Sequence, residues 1–325
     1  MKKINLLDED IYKLFIKIAL PASIGTIFNN LYSLVDTIFA GRMISETALA
    51  AIGQTFPVYF IIIALGIGLS IATTSNVANS LGEKNIKKAS HAFSQSFVVT
   101  ILVGLGITIF GLYFGNIILE SINDDPKTLK LSSLYMNVIY LGSVIILLLM
   151  VCNSCLSAQG DTKSYRNVLI FSFFLNIFLN PLFIWGYGFI PGFGIAGLAI
   201  ATVISQLVGT IYLAYKVNNC KIKEYLKLQC FIPKFEYLKP LTTQAVPIMF
   251  SMLFIGVGIF NILYFIGQFG DLATAGYGAA LRVEQVFLLP VIGLNTAVLS
   301  IGGQNFGAKA YDRIRELYTK ALLFG

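Results

Sequence analysis

Eight stretches of this chain are apolar for long enough to cross a bilayer: roughly 12–40, 48–80, 92–119, 129–157, 167–185, 194–216, 241–268 and 275–302. A helix needs about 20 such residues to span the hydrocarbon layer, and inside that layer the backbone must satisfy its own hydrogen bonds. The pattern predicts an all-α integral membrane protein. Only 12% of the residues are charged, against about 25% in an average soluble domain. A soluble enzyme, a disulfide scaffold, a coiled coil and a disordered tail are therefore excluded. A ninth apolar run starts near Tyr318 and stops at Gly325, which reads as a chain cut short within a helix.

The net charge is +7, yet the basic residues form no single patch of the kind that binds nucleic acid. They punctuate the spans. Loops on one side hold only Arg42, Lys127, Lys130 and Arg282, while the other nineteen of the 23 Lys and Arg fall on the opposite side. These include Lys2, Lys3, Lys13 and Lys17 at the N-terminus, Lys84, Lys87 and Lys88, Lys163 and Arg166, six residues between Lys216 and Lys239, and Lys309 to Lys320. Positive loops stay inside, which predicts a cytoplasmic N-terminus. The long basic connection could also meet anionic lipid headgroups, but topology alone accounts for it.

The chain repeats itself. Sliding it by 225 residues aligns 48–84 with 273–309 and matches Ala48, Ala50, Gly53, Val58, Ile67, Gly68, Leu69, Ala72, Ser75, Gly82 and Lys84 with identical partners. Pro21 and Pro247 pair at nearly the same shift. Six spans separate the copies, so both enter the membrane in one direction, a parallel repeat about an axis along the membrane normal. The expected organisation is a six-helix lobe over 1–218, a basic cytoplasmic linker over 219–240, and part of a second lobe over 241–325, with two spans and the start of a third. Two lobes around a cleft suit a secondary transporter.

Fourteen of the 16 acidic residues, Asp124 among them, fall in loops or at span ends; only Asp36 and Glu284 lie within apolar sequence. A carboxylate there is costly and points to function. Asp36 borders a stripe of Ser23, Thr26, Asn30, Ser33 and Thr37, whose spacing puts them on one helical face, expected to line a wet cavity. Burial disfavours a carboxylate's charged form and a cation or donor favours it, so one Asp can alternate between protonated and cation-paired states. Glu284 stands two residues from Arg282, where a headgroup-level and a cavity position are equally open. Asn176 and Asn180 share a face just before Pro181, and Thr202 and Gln206 repeat the four-residue spacing. With Asp36 they could form an all-oxygen site for a small hard cation such as sodium.

Two motifs mislead. Residues 192–197 read G-F-G-I-A-G, but no strand is expected before them and no acid follows within the usual distance, so a tight outer loop is expected and not a dinucleotide site. Cys152 and Cys155 form C-x-x-C inside an apolar helix, where buried thiols are expected. His91 is the only histidine, which leaves no material for histidine catalysis or a multi-histidine metal centre, and no enzyme is expected.

The segments L-P-x(14)-D-T-I-F-A-G from Leu20 to Gly41, N-I-F-L-N-P-L-F-I from Asn176 to Ile184, G-I-A-G-L-A-I-A-T ending at Thr202, and G-G-Q-N-F-G-A-K from Gly302 to Lys309 resemble the multidrug and toxic compound extrusion (MATE) family. The resemblance runs over the whole chain in the right order. It implies two six-helix lobes in a V, and multidrug efflux antiport of hydrophobic organic cations against protons or sodium. It also implies no cofactor besides the coupling ion, a bacterial-type inner (plasma) membrane location, and a monomer when full length. Asp36 then matches the coupling carboxylate, Asn176 an ion-site Asn and Thr202 a Thr of the sixth helix. Asn180 stands where many members have Asp. Asn261 is the second-lobe equivalent of Asp36, so Glu284 is the acidic candidate there. Alternatives are a lipid-linked precursor or polysaccharide flippase of the same superfamily, which would want a cationic cleft although spans one to six hold no Lys or Arg deep inside, or an inactive remnant.

Overall fold

Apolar length sets the middle of each helix and polar capping residues set its beginning. In the computed structural model, which describes residues 4–122, 125–188 and 190–324, the elements are α1 Ile11–Phe39, α2 Glu46–Gly82, α3 Ile86–Glu120, α4 Pro126–Ser157, α5 Lys163–Trp185, β1 Gly186–Tyr187, β2 Ile190–Pro191, α6 Ile195–Val217, α7 Phe235–Gly267, α8 Asp271–Gly307 and α9 Tyr311–Phe324. Lys2, Lys3, Asp124 and the side chain of Arg282 lie outside the described residues. Eight of the helices are long and apolar enough to cross a membrane.

Several helices start before their apolar runs. The Ser45 hydroxyl accepts from the Ala48 amide at 3.0 Å, Asn85 from the Lys88 amide at 2.9 Å, and Asp125 from the Thr128 amide at 2.9 Å. Each satisfies an orphan N–H of a first turn, so polar first turns belong to helices that hydropathy alone begins late. The ninth helix is corrected in the same way: it starts at Tyr311, not near Tyr318. Its first turns carry Asp312, Arg313, Arg315 and Glu316, and it is held by Leu317, which is buried against α1 and α8. The G-F-G-I-A-G segment directly follows β2, which pairs with β1, so the expectation that no strand precedes it is corrected; it leads into α6. Gly194 sits at φ +56°, and a Cβ on Gly197 would run into the Phe183 carbonyl, so the expected tight loop is present.

The repeat is visible in three dimensions. Helices α2 and α8 are both 37 residues long and start and end at the same shift of the sequence. Each is followed by a lysine in the left-handed region, Lys84 at φ 58° and Lys309 at φ 59°. They pack on each other reciprocally: a Cβ on Gly82 would strike the Gln304 carbonyl, and one on Gly307 would strike the Asn79 carbonyl. Gln304 is the repeat partner of Asn79. Gly303 faces its own partner Ala78, with only 2.8 Å between a Cβ placed on it and the alanine Cβ. A surface that meets its own copy with residues exchanged defines a two-fold axis. Flanking contacts obey it too, since Gly68 of α2 abuts Ala245 and Met249 of α7 while its counterpart Gly293 of α8 abuts Ala19 and Ser23 of α1.

Two buried clusters fill the first lobe, one around Ala72, Cys152, Val168 and Leu213, the other around Ala51, Met136, Leu147 and Leu198. The connection to α7 folds as two short 3₁₀ turns, Lys221–Tyr225 and Leu228–Phe231. It is pinned by Gln95 of α3, whose amide donates to the Cys230 and Ile232 carbonyls, both at 2.7 Å, and accepts from the Lys234 amide at 3.0 Å. At about 1 kcal/mol net for each of these three bonds, Gln95→Leu is expected to cost the connection about 3 kcal/mol, roughly a 150-fold rise in local opening. Limited trypsin digestion at Lys227 and Lys234 reads that rise; an unchanged cleavage rate would show that Gln95 does not hold the segment.

Candidate functional site

Helices α1, α5 and α6 converge on one carboxylate. Asp36 lies late in α1 and is 6% exposed. Its Oδ1 accepts from Asn180 Nδ2 at 3.0 Å and its Oδ2 from Thr202 Oγ1 at 2.9 Å. Asn180 is fixed in turn by Asn176 one turn earlier on α5, with bonds of 3.0 Å from Asn180 Nδ2 to Asn176 Oδ1 and 3.4 Å in return. Asn176 and Asn180 are fully buried and Thr202 nearly so. The four-residue spacing explains how both asparagines face α1, and α5 continues as helix through Pro181.

Among the described residues, Asp36 has no salt-bridge partner. Its two donors can hold it as an anion, yet nothing basic neutralises it, so the group is suited to exchange a proton or a small cation. The oxygens of Asp36, Asn176, Asn180 and Thr202 could hold a hard cation if the Asn180 amide turned its oxygen inward. Among the described residues no group of three or more His, Cys, Asp or Glu could bind a metal.

Other residues singled out in the sequence fall elsewhere. Asn30 and Ser33 are exposed and make no bond to the Asp36 cluster. They continue the line of Ser23, whose hydroxyl reaches the Pro290 carbonyl of α8 at 3.5 Å, so the stripe faces the second lobe while Asp36 faces the interior of the first. Gln206 lies one turn beyond Thr202, with its side chain buried beside Tyr59. Glu284 and Asn261 are exposed on α8 and α7, and no described bond joins them to Asp36.

Sequence reasoning overlooked the tyrosines. Tyr32 Oη donates to the Thr202 backbone carbonyl at 3.2 Å, tying α1 to α6 one turn before Asp36. Its position four residues ahead of Asp36 was the available signal. A π-helical turn, Ala40–Ile44, begins four residues after Asp36, and the Ala40 amide bonds back to both the Asp36 and Thr37 carbonyls.

A family model described as MatE matches residues 21–182 and 247–325. A FAD transporter of Shewanella oneidensis is 28% identical over 321 residues, covering 98% of this chain and 71% of its own length. The multidrug export protein MepA of Staphylococcus aureus is 25% identical over 299 residues, covering 92% of this chain and 65% of its own. Among solved structures, a multidrug resistance MATE family transporter of the MOP superfamily in an outward-facing conformation superposes with a TM-score of 0.89 at 28% identity, over 100% of this chain and 71% of that one. A MOP superfamily transporter from Pyrococcus furiosus, described as having a binding pocket of reverse polarity, gives 0.90 at 28% identity, again over 100% and 71%. The chain thus spans 65–71% of the length of the curated relatives it matches.

Proposed function

The chain belongs to the MatE family of membrane transporters, whose members are not enzymes, and on that premise we propose that it takes part in exporting hydrophobic organic cations in exchange for protons or sodium. The observation that carries this reading is the buried Asp36, held by one donor from α5 and one from α6 with no basic partner. Uptake of a proton or sodium ion at Asp36 competes with the Asn180 and Thr202 donors and changes how α1 seats on its neighbours. A ligand shifts a conformational equilibrium only through its different affinity for the two states, and Asp36 provides that difference. The Ser23–Thr37 stripe, on the adjacent face of the same helix, passes the change to the cleft where the substrate sits. The two lobes rock about the α2–α8 contact.

Export of an anionic flavin dinucleotide is the second reading, favoured by the relative named as a FAD transporter. Reconstitution in liposomes separates the two. A fluorescent organic cation is expected to move when a proton or sodium gradient is imposed and to stay when none is, with FAD unmoved in both cases. Movement of FAD alone, or cation movement indifferent to both gradients, would overturn the first reading.

A further inference from the structure

Cys220 follows the end of α6 by three residues and lines a cavity of about 720 Å³ together with Gln159, Lys163, Lys216 and Lys221. Of the four cysteines, Cys152, Cys155 and Cys230 are buried and Cys220 is partly exposed. The Gln159 amide nitrogen reaches two sulfurs at once, 3.2 Å from Cys220 Sγ and 3.7 Å from Cys155 Sγ. The same side chain accepts from the Lys221 amide at 3.2 Å, so it holds the chain leaving α6 against the end of α4. The C-x-x-C spacing of Cys152 and Cys155 therefore conceals the relevant neighbour, which lies 65 residues away from Cys155. The cavity wall also carries Lys17, Glu9 and Asp161, with Lys17 paired to Glu9 and Asp161 accepting from the Ser164 hydroxyl; Lys163, Lys216 and Lys221 have no anionic partner among the described residues, so the lysines outnumber the acids around a site open to small solutes.

We propose that Cys220 and Cys155 form a peroxide-responsive pair, with Cys220 as the attacking thiol and Cys155 as the resolving one. The Cys220 thiolate attacks one oxygen of a hydroperoxide, the O–O bond breaks, and the departing oxygen takes a proton to leave as water or an alcohol. Cys220 is thereby oxidised to a sulfenic acid. The Cys155 thiol then attacks that sulfur, an S–S bond forms, and the hydroxyl leaves with the thiol proton as water. One peroxide is reduced for two thiols oxidised. Exposed, activated cysteines beside a resolving cysteine are the ones that behave in this way. A hydrogen bond from the Cys155 thiol, helped by Gln159 and opposed by burial, brings the Cys220 thiol down to about 6. The neutral thiol donates to the Val217 carbonyl at 2.9 Å, so the thiolate forms as that contact is given up, more readily than in an ordinary cysteine. The resulting bond would turn a hydrogen-bonded tether between α4 and the linker into a covalent one, away from Asp36 and independent of the transported substrate.

The test uses membranes holding the full chain. Hydrogen peroxide, then alkylation without reductant and peptide mass spectrometry, is expected to give a peptide linked through Cys155 and Cys220. Cys152→Ser should retain that link and Cys220→Ser should lose it. In Cys155→Ser, Cys220 should instead be trapped as a sulfenic acid that dimedone captures. Without peroxide, alkylation of Cys220 should be half-maximal below the ordinary thiol value of about 8.5, moving toward it in Cys155→Ala, which removes the donor that a serine would keep. Peroxide that leaves both thiols free, a link to Cys152 instead, or an alkylation profile unmoved by Cys155→Ala would each overturn the proposal.

Discussion

Asp36→Asn is expected to reduce gradient-driven efflux of an organic cation at least a hundredfold while leaving the protein folded. The substitution keeps the size of the side chain and removes only the charge that a proton or sodium ion would meet. An amide offers one acceptor oxygen where the carboxylate offered two, so either Asn180 Nδ2 or Thr202 Oγ1 is left facing an NH₂ group. The threonine hydroxyl can rotate to accept instead, and the asparagine amide can flip, which holds the structural cost to about 1–3 kcal/mol. Folding and transport therefore separate. Solubilised protein should elute as the wild type does, and the substrate should still bind without a gradient. What disappears is the dependence on the gradient. Thr202→Val should weaken transport less, because it removes one donor and leaves the exchangeable carboxylate in place. An Asp36→Asn protein that still pumped at the wild-type rate would assign coupling to another group, with Glu284 the first to test.

Much of this arrangement is legible in sequence because membrane burial makes each polar residue conspicuous. Asp36, Asn176, Asn180 and Thr202 stand out against apolar surroundings, and the structure brings all four together. What the sequence could not supply was direction. Ser33 is three residues from Asp36, about 60° around the helix, and no periodicity reveals that the wall of the first lobe passes between them. That boundary shows only once Ser23 is seen reaching Pro290 on α8. Helix starts such as Ile86 and Tyr311 escaped hydropathy because their first turns are polar. The neighbour of Cys155 escaped local reading because Cys220 approaches through tertiary folding. The repeat was fully readable, since Gly and Lys matches at a fixed shift survive where interchangeable apolar residues do not.

That repeat leads to the second large effect, at the contact between α2 and α8. Gly82→Leu and Gly307→Leu are each expected to abolish transport, and by the same route. Each would drive a side chain into a backbone carbonyl of the opposite lobe, that of Gln304 or of Asn79, and the backbone of a packed last helical turn cannot step aside as a flexible side chain does. Overpacking usually costs about 1–3 kcal/mol, and here the strain falls on the lobe–lobe contact rather than on the core of either lobe. The lobes should separate at this end while each stays folded. Gly106→Ala is the control, because it meets nothing within 4 Å and should gain up to about 1 kcal/mol from helix propensity. Spin labels at the exposed repeat partners Lys84 and Lys309, which follow the ends of α2 and α8, report the separation without entering the contact. Their close approach should be seen in the parent and be nearly absent in either leucine variant. If it persisted in both, the reciprocal glycine contact would not be what holds the lobes together, and the closing surface would have to be sought where Ala19 and Ser23 meet Gly293 and where Ala245 and Met249 meet Gly68.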